Sequence, residues 1–153
     1  MNRNASALSD DSEHFRTYRD ILLDMRFMPA GRIQAWAGST KIVTPYNCYV
    51  SGEIHDSFVD GPKPYENRKA VSIMEAATQA AQTMRQGGGI GYDFSTLRPS
   101  GDLIAGVQSL TEGPIAFMPI FDSVCKATSS AGNRRGAQMG VLRVDHPDIE
   151  RFI

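Results

Sequence analysis

The sequence predicts an α/β chain built around a parallel sheet. Three observations lead there. Apolar residues recur at helical spacing in several separate stretches, and short runs of β-forming residues lie between them. The connections between successive runs are long enough to hold a helix. Helix, strand, helix, strand, helix, strand, helix is the order of a chain that crosses over between parallel strands, as a sheet or as a barrel. About three strands are few for a closed α/β domain, so part of a domain is expected.

Residues 1–10 are small and polar and read as a frayed end. From Ser12, the set Phe15, Tyr18, Leu22 and Met25 marks a helix that Pro29-Ala30-Gly31 ends. Thr44–Val50 is rich in β-formers and reads as a strand, and residues 51–65, with Gly52, Gly61, Pro62 and Pro64, read as a loop. The clearest helix runs from about Glu66 to Gln86, with Val71, Met74, Ala77, Ala81 and Met84 on one stripe and Gly87 just past its end. Ile90–Leu97 reads as extended and Arg98–Asp102 as a turn. The next helix opens over Ser109–Pro114 and presents Ile115, Met118, Phe121, Val124 and Cys125, with Pro119 as a bend, before stopping near Gly132. Gln138–Val144 is the third strand, and Asp145-His146-Pro147-Asp148 caps a short final helix.

With 153 residues, 41% apolar and 22% charged, the chain can build a core. A net charge of -1 argues against a general grip on nucleic acid or on an anionic membrane. No run approaches the ~18 apolar residues of a membrane span. The first residues lack the apolar core of a signal peptide, so a cytoplasmic protein is expected. Cys48 and Cys125 form no CxxC, and His14, His55 and His146 are scattered. The pattern therefore predicts no metal site, no permanent disulfide, and surface or capping histidines.

The run Gly87-Gly88-Gly89-Ile90-Gly91 asks what comes so close to the backbone that side chains are excluded. It is not GxGxxG, because Tyr92 and Phe94 occupy the required glycine positions, and GxxxxGK[ST] has no match. Two loops join glycine to arginine: 87–101 with Arg98, and 130–137 with Arg134 and Arg135. Backbone N–H groups and arginine forks suit phosphate. Caps and tight turns with solvated arginines explain the same residues. Cys48 reads as a small buried hydrophobe or as a nucleophile, and Cys125, on the apolar face of a helix, as structural.

The strings "RFMPAGRI", "YNCYVSG", "MRQGGGIGYDFSTLRPSGD", "GPIAFMPIFDSVC" and "AGNRRGAQMGVLRVDHPDIERFI" occur in that order. Together they resemble the catalytic subunit of ribonucleotide reductases, most closely the adenosylcobalamin-dependent class. The resemblance runs from about Arg26 to the last residue. It implies the opening part of a ten-stranded α/β barrel over residues 28–153, with residues 1–27 as a helical segment ahead of it. The implied reaction replaces the ribose 2′-hydroxyl of a ribonucleotide with hydrogen, and a reducing pair of cysteines becomes a disulfide.

Carried over by resemblance, Cys48 is the first cysteine of that pair. Met28, Asn47, Cys48 and Gly89 fall at substrate contacts, so the glycine run would let the nucleotide lie against the backbone. Asp56, Ser57 and Arg98 fall at the site for the deoxynucleotide or ATP effector. Gly132, Arg134 and Arg135 fall in the loop that relays effector identity to the substrate. Implied partners are a dithiol reductant such as thioredoxin, and the remaining barrel chain or a homodimer partner.

The resemblance puts the radical-bearing cysteine, its glutamate, the second reducing cysteine and most of the cobalamin surface beyond residue 153. The isolated chain is therefore expected not to turn over, and to be marginally stable with open strand edges. A fragment, a split-gene product and a truncated remnant all fit this expectation. A non-catalytic nucleotide-binding or assembly piece, active with a complementary chain, is a second reading. A piece of a diiron-dependent large subunit is a third. Diphosphate and triphosphate substrates both stay open.

Overall fold

The computed structural model describes residues 1–60, 70–128 and 136–153, which form two compact units, Met1–Asn47 and Cys48–Ile153. Gly132, Arg134 and Arg135 lie outside the described residues, as do Gly61, Pro62 and Pro64 of the expected loop.

The first unit holds three helices: α1 (Asn2–Leu8), α2 (Ser12–Leu23) and α3 (Gly31–Trp36). The first residues are thus not a frayed end. Ala5 is wholly buried, and the Arg3 guanidinium donates to the Gln34 carbonyl at 2.5 Å, so tertiary contacts hold a stretch with little helical periodicity of its own. Asp11 caps α2 by accepting the His14 N–H at 2.7 Å. That helix stops at Leu23, earlier than expected, where Met25 turns to φ 54°. Pro29-Ala30-Gly31 leads into a further helix, α3, rather than only ending one. Leu8, Tyr18, Ile21, Leu22, Phe27 and Pro29 line an apolar cavity of about 360 Å³ in this unit.

The second unit begins with β1 (Cys48–Val50), less than half the expected strand, so that Cys48 opens it instead of sitting mid-strand. Helix α4 (Ile73–Arg85) follows, then β2 (Gly89–Asp93). A two-stranded hairpin comes next, β3 (Leu103–Ile104) with β4 (Ser109–Leu110). Helix α5 (Pro114–Ala127), β5 (Gln138–Val141) and α6 (Ile149–Phe152) complete it. The sheet order is β1-β2-β5 with both pairings parallel, as the crossover pattern predicted.

Ser72 caps α4, its hydroxyl accepting the Glu75 N–H at 3.2 Å. The next two free N–H groups, of Ile73 and Met74, donate to the carbonyls of Ser57 and Phe58 at 3.0 and 3.1 Å. Val71 is not on the helix: it bridges to Ile54. The buried face is Ile73, Ala76, Ala77, Ala80 and Met84, while Met74 is 37% exposed. The expected stripe was therefore rotated, because an alanine-rich helix offers little polarity contrast between its faces. Gly87 ends α4 at φ 81°, a conformation that side chains disfavour.

Side chains alternate across β2. Ile90 and Tyr92 enter the core with Phe94, Leu97 and Phe121, against α4 and α5. Gly89, Gly91 and Asp93 belong to the other face. There Val50 is 92% exposed and Met139 63% exposed, although parallel sheets are ordinarily covered on both sides. The hairpin was not foreseen. Its two-residue strands carry no alternation to read, and Gln108 turns the chain at φ 53°. Helix α5 consequently starts at Pro114, not Ser109, and ends at Ala127.

Candidate functional site

At the N-terminal ends of the parallel strands, Cys48 pairs with Gly89, and Ile90 pairs with Gln138. Cys48, Gly89 and Ala137 therefore form one row across the sheet. Cys48 is exposed and is a free thiol. A Cβ placed on Gly89 would lie 3.5 Å from Cys48 Sγ, 3.4 Å from the Ala137 carbonyl oxygen and 3.6 Å from Ala137 Cβ. The missing side chain at position 89 is what leaves bare backbone beside the thiol. Gly88 is small for another reason. The Tyr49 ring packs on it, and a Cβ there would stand 2.9 Å from Tyr49 Cε2.

These distances predict the behaviour of Gly89→Ala. The added methyl makes only ordinary contacts, so folding survives, but it covers one side of the sulfur. Alkylation of Cys48 by iodoacetamide, followed peptide by peptide, is expected to slow by about three- to tenfold, since thiol reactivity follows access. An unchanged rate would mean that the glycine does not govern approach to the thiol.

Asn47 and Met28 belong to the first unit, and both are exposed. Cys125 behaves as the structural cysteine it was expected to be. It lies against the core, and a Cβ on Gly136 would meet its Sγ at 3.0 Å and Met84 Sδ at 2.9 Å. Nearby, burial, with Cys125 adding to it, pushes the Tyr92 hydroxyl well above its ordinary pKa, so it stays protonated. Sequence reasoning gave this hydroxyl no role. It has no hydrogen-bond partner among the described residues.

A second cluster forms at the C-terminal ends of the same strands. The Arg98 Nε–H donates to Asp56 Oδ2 at 2.5 Å and Nη1 donates to the Leu103 carbonyl at 2.9 Å. Both side chains of the ion pair are about one-third exposed, 34% and 30%. Two of the three residues expected at an effector site are thereby brought together from loops 42 positions apart. Ser57 adjoins them, its carbonyl spent on the first turn of α4. The Thr96 hydroxyl donates to the Ile54 carbonyl at 2.7 Å, and Ser95 Oγ accepts the Arg143 N–H at 2.8 Å, so the loops after β1, β2 and β5 are stitched to one another.

His146 is buried rather than on the surface, and its ring holds backbone groups of two segments rather than capping the final helix. Its Nε2–H donates to the Leu97 carbonyl at 3.0 Å and its Nδ1 accepts the Asp148 N–H at 3.1 Å, which defines the neutral tautomer. In the first unit, Asp10, Asp11 and His14 bring ligand-type atoms within 4.8 Å of one another, all exposed. The hydrogen bond that His14 donates to Asp10, then the charges of Asp10 and Asp11, raise the His14 pKa, so the ion pair with Asp10 and the Asp11 cap of α2 account for the cluster.

The family described as ribonucleotide reductase, barrel domain, matches residues 59–153, more than half of the chain. The chain belongs to that family. Over 82 residues, 54% of this chain, it is 48% identical to a vitamin B12-dependent ribonucleoside-diphosphate reductase of Mycobacterium tuberculosis. It is 32% identical over 140 residues, 92% of this chain, to the protein of the same name from Thermoplasma acidophilum. A ribonucleoside-diphosphate reductase subunit alpha of Bacillus subtilis is 24% identical over 143 residues, 94% of this chain. The chain spans 12%, 16% and 19% of those three proteins.

Proposed function

We propose that this chain supplies the opening strands of a ribonucleotide-reducing barrel and acts as part of the complete barrel. In this reading residues 28–153 open a ten-stranded α/β barrel and residues 1–27 precede it as a helical segment. The observation that carries the reading is the exposed Cys48 thiol beside the bare backbone of Gly89. A ribose lying over Gly89 would meet that sulfur from a fixed direction, and two strands of the sheet fix the approach.

In the reaction, the ribose C2′–O bond breaks, oxygen leaves as water, and hydrogen takes its place. Two thiols supply two electrons and two protons and become a disulfide. Cys48 is one of them, and the rest of the barrel supplies the other. An external dithiol such as thioredoxin then reduces the disulfide by thiol–disulfide exchange. Met28 and Asn47 contact the substrate. Asp56, Ser57 and Arg98 hold a deoxynucleotide or ATP effector. Gly132, Arg134 and Arg135 relay its identity.

Cobalamin would generate the radical that starts the reaction. The vitamin B12-dependent relatives support that cofactor over a diiron subunit. A corrinoid brings its own ring nitrogens to cobalt and needs no cluster of protein ligands, and its contacts are not assigned to this chain's residues.

The test is complementation. The chain is mixed with the remaining barrel segment of the Thermoplasma relative, adenosylcobalamin, dithiothreitol and a ribonucleoside diphosphate. Deoxyribonucleotide is expected, and only when cobalamin is present. Co-elution of the two pieces without product would instead support a nucleotide-binding or assembly role. The exposed apolar side chains on the sheet's open face favour that as the second reading.

A further inference from the structure

The turn that carries Arg98 is pinned at both ends by one short segment after β5. On one side, the buried Leu97 carbonyl accepts the His146 Nε2–H at 3.0 Å. On the other, the Ser100 N–H donates to Asp148 Oδ2 at 2.8 Å. Asp148 itself is 5% exposed, its own N–H is held by His146 Nδ1 at 3.1 Å, and Arg151 approaches its other oxygen at 3.5 Å. Gly113 closes over the knot. At φ 76°, its backbone packs so tightly that an added Cβ would lie 2.5 Å from Asp148 Oδ2 and 2.6 Å from the Ser100 nitrogen.

An arginine has long side-chain freedom and loses it only if its backbone is fixed. A partly exposed ion pair such as Arg98–Asp56 contributes little and does not order a turn on its own. The buried bond from His146 and the part-buried one to Asp148 are of the kind that do, because leaving the Leu97 carbonyl or the closely packed Ser100 N–H unmet is costly. We infer that His146 and Asp148 are positioning residues for Arg98: they fix the 97–100 turn so that its guanidinium meets Asp56 and is presented to an anionic ligand. The nature of that ligand, a deoxynucleoside triphosphate, rests on the effector reading given under Proposed function.

The consequence reaches along the sheet. β5 begins beside Gly89 and runs on to the segment that pins Arg98. A shift of β5 would therefore act at both ends of the unit, on the backbone beside Cys48 and on the turn of Arg98.

The experiment follows the Arg98 Nε–H by nitrogen-15 NMR in the 153-residue chain, with no ligand present. Asp148→Ala and His146→Ala are each expected to speed solvent exchange of that proton by about tenfold or more, while amide exchange in β2 and β5 changes by less than about twofold. Asp148→Asn, whose side-chain oxygen still accepts the Ser100 N–H, is expected to restore slow exchange. Unchanged exchange at Arg98 in both alanine variants would overturn the inference. So would acceleration of Arg98 together with the whole sheet, which would mean general loosening. Deoxythymidine triphosphate is then added to the unsubstituted chain. A shift of the Arg98 Nε signal supports the effector reading. No shift, with exchange still governed by Asp148, withdraws the effector reading and leaves the positioning role standing.

Discussion

Cys48→Ser is expected to reduce product in the complemented enzyme to background, a loss of at least about a thousandfold, because removing one member of a group that acts as a unit costs nearly the whole effect. Serine is the informative replacement. Cys48 is exposed and opens a strand, and its backbone pairing with Gly89 does not depend on the side chain. Stability should move by no more than about 0.5 kcal/mol, as for other exposed substitutions. A hydroxyl keeps the shape of the side chain, though it is smaller and more polar than the thiol, and cannot give up electrons by forming a disulfide. Binding of the ribonucleotide should survive where turnover does not, so KM stays near its original value while kcat collapses. Product from the serine variant at more than a few percent of the original rate would remove Cys48 from the reducing pair. Gly89→Ala provides the graded comparison, since it leaves the thiol in place and only obstructs it.

The parts of this site that could be read from the chain are those set by local rules. A cysteine in a β-rich run and a glycine cluster after a long helix are both visible in the sequence, and parallel crossovers make their strands neighbours. That Cys48 lies level with Gly89, and not with Gly88 or Gly91, is a matter of register. Only the folded sheet fixes it.

The pairing of Arg98 with Asp56 was foreshadowed by family resemblance, not by spacing, since 42 residues separate them. The knot behind it was invisible. His146 finds Leu97 across 49 positions, and Asp148 finds Ser100 across 48. A lone histidine beside a proline reads as a surface or capping residue; here it holds the Leu97 carbonyl in another part of the chain. The helices α1 and α3 and the small hairpin escaped for a simpler reason. None is long enough to show a period, and packing rather than propensity holds them.

Phe121→Ala is expected to destabilise the second unit by about 3–5 kcal/mol, the usual range when a fully buried aromatic ring is cut back to a methyl. Phe121 is 2% exposed and carries α5 into the core beside β2, with Phe117, Met118, Ile120 and Val124 packed against the same core. Its ring centroid lies 4.6 Å from that of Tyr92 and 5.2 Å from that of Phe94, edge-on to the latter. Tyr92 and Phe94 are themselves 5.7 Å apart, so the three rings form a closed triangle in which each supports the other two. The triangle cannot refill easily. Gly140 lies directly under Phe94, where even a Cβ would come within 2.9 Å of the ring, so neighbouring backbone already fits the rings as they stand.

The cavity therefore persists, and its cost adds to the lost burial. Phe121→Leu keeps most of the volume and should cost no more than about 1.5 kcal/mol. Urea unfolding checks both: the midpoint should fall far more for alanine than for leucine, at unchanged slope. Small domains hold only about 5–15 kcal/mol in total. In a sheet with one face open, the alanine variant should leave a measurable unfolded fraction before any denaturant is added. A shift below about 1 kcal/mol would mean that the aromatic triangle is not the centre of this core, and that β2, with its glycines and the turn of Arg98, is held by something else.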